Sequence, residues 1–392
     1  MLGAPRMNRP TAVSFPHLDG LRFLAFLAVF VSHATNLLGY DSHKAWVNWF
    51  GLYFLLNGDL GVNFFFTLSG FLIVYLLIKE RAVAGEIRVG SFYLRRVLRI
   101  WPVYYAVLAA SLWLLPALRG ALPPGFPLAI ATDRLNPWLY ASFLGNFDYL
   151  LNGITNLFAG ILWSISVEEQ FYLFCPWVVA LVPPRRLLAA FALIIAGSLA
   201  FRWAYAPAGS MWFKYHSLSS VLYLATGAAL ACLAQREKFL ARLAALPRGA
   251  IVAGYVVGLA LLPLRRYPWA ESAARPFIVQ TLPVLAAAFF AFVIAEQNFA
   301  ANSFYKIGRW AWIGALGRRT YGMYCYHLIA VFFVMAALDA LGFSVVRMRV
   351  GTYVAVVVGS LAATLLVAHL SYRYFEAYFL TLKNRFAVIT KA

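Results

Sequence analysis

The sequence is poor in charged residues, and poorest in acidic ones. Asp, Glu, Lys and Arg make up 12% of its 392 residues, whereas a soluble domain carries about 25%. Hydrophobic residues account for 63% of the chain and aromatic residues for 17%. A soluble chain this apolar would aggregate, so a lipid bilayer is the expected solvent. The length allows about ten membrane spans of roughly 20 residues with short loops.

Cysteine and internal repeats are also lacking. Cys175, Cys232 and Cys325 lie in separate apolar stretches, and their odd number and wide spacing give neither a disulfide framework nor a metal-ligand pattern. We therefore expect no metal and three small buried side chains. The absence of repeats leaves an inverted-repeat transporter without positive support. The apolar stretch after Arg6 and Arg9 is long enough to span and lacks a small-residue cleavage site, so we expect no cleavable signal.

The charge that is present is strongly basic. The chain has 33 Lys and Arg against 14 Asp and Glu, for a net charge of +19. Such a balance can indicate a nucleic-acid partner, but here the basic residues fall between apolar runs, as the positive-inside rule places them. The pattern favours a membrane surface with anionic lipids, or a phosphorylated substrate on the cytoplasmic side, over nucleic acid.

Apolar runs and basic loops together predict an all-α polytopic transmembrane bundle of about ten spans with both termini cytoplasmic. Residues 1–15 and 374–392 are predicted as cytoplasmic tails around a transmembrane domain of residues 16–373. Residues 137–151 are apolar but short, which predicts an interfacial or re-entrant helix. Five arginines are exceptions that this topology places outside: Arg265, Arg266, Arg275, Arg347 and Arg349. The spans are expected near residues 20–38, 60–78, 101–116, 162–182, 187–205, 217–234, 249–264, 276–296, 321–341 and 351–371.

The first span carries three ionisable residues. Arg22 and His33 are eleven residues apart, about three helical turns, so both lie on one face. A charge inside a span costs roughly 3 kcal/mol unless paired, which makes such residues functional candidates. Asp19 could pair with Arg22 at i, i+3, although both could instead anchor the span at the interface. His33 suits a general base near neutral pH; the alternative is a packing histidine.

The fourth predicted span contains two adjacent carboxylates, Glu168 and Glu169. Neighbouring helical residues point about 100° apart, so at most one is expected to face the site. His33 should lie about 20 Å from the cytoplasmic face and Glu168 about 9 Å from the opposite face. These depths nearly coincide in a core about 30 Å thick. Glu168 could therefore orient His33 as a catalytic partner.

Further polar residues flank these candidates. Asp59 and Ser69 in the second span could line a substrate site, or could be interfacial and packing residues. Tyr324 and His327 are stacked at i, i+3, and we favour a structural or substrate-lining role for His327 over a catalytic one. Arg95, Arg96 and Arg99 lie on one side of a helix. They could bind phosphates in a fork geometry, or they could only mark the cytoplasmic end of the span under the positive-inside rule.

Taken in order, five motifs resemble the acyltransferase-3 family of membrane acyltransferases, which modify sugar hydroxyls of bacterial surface and secreted glycans. They are His17-Leu18-Asp19-Gly20-Leu21-Arg22 with His33; Gly61-Val62-Asn63-Phe64-Phe65-Phe66 with Leu68-Ser69-Gly70-Phe71; Phe92-Tyr93-Leu94-Arg95-Arg96 with Arg99-Ile100-Trp101-Pro102; Leu162-Trp163-Ser164 with Val167-Glu168-Glu169-Gln170-Phe171-Tyr172; and Tyr321-Gly322-Met323-Tyr324 with His327. Each motif is weak alone, but five in family order over residues 15–373 are specific. Thr320, Cys325 and Tyr326 depart from the usual pattern of the ninth span.

The resemblance implies an acyl-CoA donor, usually acetyl-CoA, and an O-acyl ester product made in the bacterial cytoplasmic (inner) membrane. It also implies that His33 is essential, that Arg22 and the arginine segment are important, and that Glu168 occupies the family's acidic position. Some members carry an extra extracytoplasmic hydrolase-like domain. This chain ends soon after its last span, so the expectation is delivery of the acyl group by the membrane domain alone or with a partner.

We therefore predict acyl transfer from acyl-CoA to a carbohydrate hydroxyl, with no permanently bound cofactor. His33 would deprotonate the acceptor or carry the acyl group, and Glu168 would orient it. The phosphates of coenzyme A would bind Arg22, Arg95, Arg96 and Arg99, and the substrate would be lined by Asp19, Asp59, Ser69, Glu169, Tyr324 and His327. Two alternatives remain: a proton-coupled glycan transporter or flippase, and a non-catalytic partner of a glycan synthase. Acceptor, acyl group and oligomeric state stay open.

Overall fold

The computed structural model describes residues 15–37, 58–119, 135–153, 156–205, 210–262, 275–343 and 350–386. Every regular element within these residues is a helix, and none is a strand, which confirms the predicted all-α polytopic bundle. The expected tail before residue 15 and four of the five exceptional arginines, Arg265, Arg266, Arg347 and Arg349, lie outside the described residues, as do the last six residues of the chain.

Seventeen α-helices are described. In chain order they are α1 (Pro16–Leu37), α2 (Gly58–Ala84), α3 (Val89–Ala109), α4 (Leu115–Arg119), α5 (Pro137–Ala141), α6 (Gly145–Asn152), α7 (Leu162–Leu181), α8 (Leu187–Tyr205), α9 (Met211–Tyr215), α10 (Ser217–Leu233), α11 (Glu237–Ala244), α12 (Arg248–Leu261), α13 (Arg275–Phe299), α14 (Ala311–Arg318), α15 (Thr320–Ala340), α16 (Val350–Ser371) and α17 (Ala377–Asn384). Two π-helical turns, Ala110–Leu114 and Tyr372–Glu376, join α3 to α4 and α16 to α17 without a loop.

Eight helices within the described ranges are long and apolar enough to cross a membrane, and the pair α11–α12, bent by 92°, would make a ninth. These eight correspond to eight of the ten predicted spans. The pair α11–α12 covers the predicted span at residues 249–264. The remaining one is α7, whose run of Glu168, Glu169 and Gln170 lowers its mean hydropathy, so the described chain gives eight or nine spans by this measure.

Helix ends differ from the predicted boundaries where polar residues continue a helix. The third span was expected to begin near residue 101, but α3 begins at Val89 and takes the whole arginine segment into the helix. Arginine is a good helix former, and an apolar run marks only the lipid-embedded part of a helix. At the other end of the chain, helical structure continues beyond residue 373 to Asn384.

The segment at residues 137–151 forms two short helices, α5 and α6, neither of which is long enough to span. Pro137 starts α5, and the side chain of Asn136 caps it by accepting hydrogen bonds from the N–H groups of Trp138 and Leu139. Phe143, between the two helices, has a φ of 57°. The helices therefore turn back at one end of the bundle, where α6 packs against α7 and α9.

Helices α2 and α10 approach each other unusually closely at a pair of glycines. A Cβ on Gly70 would stand 1.9 Å from the carbonyl oxygen of Leu224, and a Cβ on Gly227 would stand 1.9 Å from that of Thr67. Small residues allow such backbone contact in membranes, where packing rather than burial from water drives association. This contact fixes α2, which carries Ser69, against the rest of the bundle.

Candidate active site

Helix α1 carries the first three candidates along its inner face. The guanidinium of Arg22 donates to the carboxylate of Asp19 at 2.6 Å, and both side chains are largely buried, at 15% and 12% exposure. The pairing expected from their i, i+3 spacing is therefore formed. Three helical turns further along, His33 lies half-buried at the opposite end of the same face.

His33 makes its side-chain hydrogen bond with a second histidine. Its Nδ1 lies 2.8 Å from Nε2 of His327 on α15, and the two rings are nearly coplanar, with 7° between their planes. His327 is completely buried, and the edges of Phe26 and Phe30 pack around it. We call these two residues the histidine pair.

The proton positions in the histidine pair follow from one backbone contact. Nδ1 of His327 lies 2.7 Å from the carbonyl oxygen of Tyr324, and a carbonyl can only accept, so Nδ1 carries the hydrogen. In a neutral His327, Nε2 is then an acceptor, and Nδ1 of His33 must donate to it. The neutral His33 tautomer is thereby fixed, with a basic lone pair on Nε2. No described residue forms a hydrogen bond with that nitrogen.

Glu168 has a different partner from the one expected. The hydroxyl of Ser69 donates to its Oε1 at 2.8 Å, and Tyr172 lies beside both groups. The histidine pair, rather than a carboxylate, thus supplies the hydrogen bond to His33. This contact places Ser69 beside Glu168. The charge of Arg22, on α1, also acts on Glu168.

The two adjacent carboxylates of α7 face different helices, in keeping with their 100° separation. Glu168 faces α2, whereas Glu169 accepts a hydrogen bond from the indole N–H of Trp101 on α3 at 3.1 Å. The second oxygen of Glu169 is buried without a hydrogen-bond partner in the described part of the chain. Glu169 also lies within electrostatic range of Arg96.

The three arginines of α3 are not equivalent. Arg95 forms an ion pair with buried Glu80 at 2.8 Å and donates to the carbonyl of Phe386 at 2.7 Å. Its guanidinium therefore already has partners within the protein. Arg96 lies over the rings of Phe92 and Tyr172, each at 5.8 Å, and its Nε is buried without a described hydrogen-bond partner.

Arg99 forms no ion pair or hydrogen bond with any described residue, and in this it resembles Arg96. The charge of Arg99 interacts with those of Arg22, Arg96 and Glu376. Three guanidinium groups, Arg22, Arg96 and Arg99, therefore cluster at the end of α1 away from the histidine pair. Such a cluster suits a polyanion such as a phosphate ester.

The remaining candidates lie close to the histidine pair. Tyr324, one turn before His327, shares a hydrogen bond of 2.7 Å between its hydroxyl and that of Ser164 on α7. Asp59 lies in the first turn of α2, and its neighbour Gly58 packs against Ser32, which places Asp59 at the His33 end of α1. Among the residues with described positions, no group of three or more His, Cys, Asp or Glu side chains is arranged to hold a metal ion.

Sequence reasoning missed three participants. Ser164 and Tyr172 belong to the motif of Glu168 and Glu169, but a hydroxyl in a span carries no charge and so gives a weaker signal in sequence than a carboxylate does. Lys214 lies on the short helix α9, and its positive charge acts on His33. A lone lysine between two predicted spans gives no signal in sequence, because only the folded chain brings it within electrostatic range of His33.

Comparison with known proteins agrees on one family. A family model described as an acyltransferase domain matches residues 15–369, nearly the whole chain. The peptidoglycan O-acetyltransferase OatA of Listeria monocytogenes is 25% identical over 392 residues, which cover 94% of this chain and 57% of that protein. No solved structure matches.

Two other relatives carry provisional names of the same kind. YrhL of Bacillus subtilis, provisionally named a peptidoglycan O-acetyltransferase, is 26% identical over 329 residues, or 80% of this chain and 48% of that protein. A provisionally named O-acetyltransferase of Staphylococcus aureus strain COL is 30% identical over 167 residues, or 41% of this chain and 24% of that protein. The chain thus spans between a quarter and just over half of the length of these relatives.

Proposed function

The chain belongs to the acyltransferase-3 family, and on that premise we propose that it transfers an acyl group from acyl-CoA to a carbohydrate hydroxyl. Acetyl is the first acyl group to test, because the relatives are named O-acetyltransferases. We place the protein in the bacterial cytoplasmic membrane with both termini cytoplasmic and with a surface or secreted glycan as acceptor. Residues 16–373 would form the catalytic domain.

The observation that carries this proposal is that Nε2 of His33 forms no hydrogen bond with any described residue. As the acceptor hydroxyl oxygen attacks the thioester carbonyl, Nε2 takes its proton. A carbon–oxygen bond forms, the carbon–sulfur bond breaks, and the proton on Nε2 passes to the sulfur of coenzyme A. His327 stabilises the imidazolium that exists between these two transfers, because it accepts a hydrogen bond from Nδ1 of His33.

The arginine cluster supports a donor bound at the other end of α1. Arg22 and His33 are separated by about 16 Å along the helix, a distance that the flexible pantetheine arm of coenzyme A can bridge. The phosphates would bind Arg99, Arg96 and Arg22, and the thioester would reach towards Nε2 of His33. Arg95 is assigned to the fold in this scheme, because its guanidinium already pairs with Glu80.

The test compares cells that express the wild type, His33→Ala, His369→Ala or no protein. His369 is a half-buried histidine of α16 and serves as the matched control. Mass spectrometry of surface and secreted glycans should find an ester that depends on the wild type and on His369→Ala but is absent with His33→Ala. Purified wild type in lipid nanodiscs should release free coenzyme A from acetyl-CoA when the same glycan is added.

Each outcome has a distinct meaning. An ester with His33→Ala at the wild-type level would refute the catalytic assignment. If no ester of any mass depends on the protein, acyl transfer is refuted and glycan transport becomes the better hypothesis. Parallel reactions with succinyl-CoA and butyryl-CoA would identify the acyl group, and acyl label retained on His33 without acceptor would indicate an acyl carrier rather than a base.

A further inference from the structure

Helix α9 forms the first part of the candidate span Met211–Leu233 and is linked to the histidine pair through intermediate residues. The ring of Tyr215 packs edge-on against that of Trp163, with centroids 4.8 Å apart. Trp163 immediately precedes Ser164, whose hydroxyl contacts that of Tyr324 at 2.7 Å. The carbonyl of Tyr324 in turn accepts a hydrogen bond from Nδ1 of His327. Helix α9 is therefore connected to the histidine pair through three side chains.

Helix α9 is held firmly in this place. The guanidinium of buried Arg202 stacks on the ring of Phe213 at 3.8 Å, and the side chain of Asn146 donates to the carbonyl of Tyr215 at 3.2 Å. Ser210 caps the helix by accepting a hydrogen bond from the N–H of Phe213. The backbone of this helix thus has a defined position in the bundle.

Lys214 is the charged residue of α9, and its ammonium group has no acidic partner among the described residues. The side chain is exposed, and Nζ lies 5.1 Å from the ring centroid of Tyr215. Its charge reaches His33. When Nε2 of His33 takes a proton, the resulting imidazolium is repelled by this ammonium group, so a lysine here opposes the proposed proton transfer unless a negative charge joins it.

We propose that Lys214 selects an acceptor that carries a negatively charged group, a carboxylate or a phosphate, close to the hydroxyl that is acylated. This inference rests on the proposed acyl transfer and assigns Lys214 as a specificity-determining residue of the acceptor site. The anionic group binds the ammonium, which positions the acceptor hydroxyl near Nε2 of His33. It also cancels the repulsion that the ammonium would exert on the imidazolium.

The test uses the full-length protein in nanodiscs with acetyl-CoA and the glycan fraction that is found to carry the ester. That glycan, stripped of its esters, is supplied in three forms: untreated, with its carboxylates reduced to alcohols, and with its phosphates removed by hydrogen fluoride. The variants are Lys214→Met, Lys214→Arg and the control Lys238→Met. Lys238 is also an exposed lysine, but it lies on α11, at the other end of the span formed by α10.

We expect Lys214→Met to lower kcat/KM for the untreated glycan by about tenfold, as loss of a charge-assisted hydrogen bond would, mainly through KM of the acceptor. Lys214→Arg should restore most of this loss, and Lys238→Met should match the wild type. One of the two chemical treatments should reduce the wild type to the level of Lys214→Met or below it, because the ammonium of Lys214 then repels the imidazolium without compensation. The same treatment should leave Lys214→Met itself unaffected. That treatment identifies the anion as carboxylate or phosphate.

Three results would overturn the inference. The first is an ester-bearing glycan that contains neither carboxylate nor phosphate. The second is a wild type that uses all three forms of the glycan equally. The third is a Lys214→Met variant that matches the wild type on untreated glycan, and this result alone would mean that Lys214 contacts lipid headgroups only. These results differ from failure of the proposed function, because the wild type would still form the ester and release coenzyme A. If the wild type forms no acyl-CoA-dependent ester, acyl transfer itself is refuted.

Discussion

Replacement of His327 tests whether the histidine pair works as the geometry indicates. His327 accepts from Nδ1 of His33 at 2.8 Å and is tethered to the carbonyl of Tyr324 at 2.7 Å. His327→Ala removes the acceptor and leaves a buried donor unsatisfied, which costs about 1–3 kcal/mol. The loss is greatest when His33 is protonated, because hydrogen bonds from charged donors are stronger. At a tenfold change per 1.36 kcal/mol, kcat should fall by about tenfold to a hundredfold.

Two further variants separate this role from simple packing. In His327→Gln, the amide oxygen can occupy the position of Nε2 and accept from His33, but the tether to Tyr324 is lost. In His327→Asn, the amide N–H can occupy the position of Nδ1 and keep the tether, but the side chain does not reach His33. We therefore expect His327→Gln to keep a much higher kcat than His327→Asn, with KM for acyl-CoA the same in both.

The assay is steady-state release of coenzyme A by protein in nanodiscs, with thermal unfolding measured in parallel. Thermal unfolding shows whether the alanine variant loses stability through the cavity that it creates. If His327→Asn is as active as His327→Gln, or if His327→Ala leaves kcat unchanged, the histidine pair does not set the tautomer of His33 and the argument from the Tyr324 carbonyl is wrong.

Two more predictions concern the arginines and the glycine contact. Arg99→Met should raise KM for acyl-CoA about tenfold with little change in stability. Arg95→Met should instead lower stability by on the order of 3 kcal/mol, because the carboxylate of Glu80 is left buried without its ion pair. Equal effects of the two variants in kinetics and in thermal unfolding would contradict the assignment of Arg99 to the donor and of Arg95 to the fold. Gly70→Ala should prevent normal assembly of α2 against α10, measured as loss of folded protein in detergent. The control Gly197→Ala should fold normally, because Gly197 has open space around it. A folded, stable Gly70→Ala would show that the two helices can separate without a cost in stability.

The sequence was sufficient for features that depend on local periodicity. Eight of the ten predicted spans are apolar helices of spanning length, because a hydrophobic run of that length has few other stable environments. The ion pair of Asp19 and Arg22 follows from i, i+3 spacing on one helix. The separate orientations of Glu168 and Glu169 follow from the 100° rotation between neighbouring residues.

The histidine pair depends on how α1 and α15 are offset along their axes, and apolar runs alone do not predict that offset. In the structure, the backbone of Asp19 lies against Gly317, near the end of α14 and three residues before α15 begins. Contacts between helices, and not hydropathy, set that offset.

The same dependence on tertiary contacts explains why the sequence could not rank its three clustered arginines. Arg95, Arg96 and Arg99 share one side of α3. Within the described residues, Arg95 is the one of the three that forms an ion pair, with Glu80 on α2, fifteen residues earlier. An ionisable group in the bilayer is costly unless it has a partner. Arg95 has one within the protein, so its presence is explained by the fold.

Arg99, Nε2 of His33 and the ammonium of Lys214 form no hydrogen bond with any described residue, so each can bind a group from outside the chain. The three positions are not scattered. Arg99 lies near the Arg22 end of α1, His33 lies near its other end, and Lys214 acts on His33 from α9. A polyanionic donor, a transferable proton and an anionic acceptor would satisfy them in that order, which is why we infer a route along α1 rather than three separate sites.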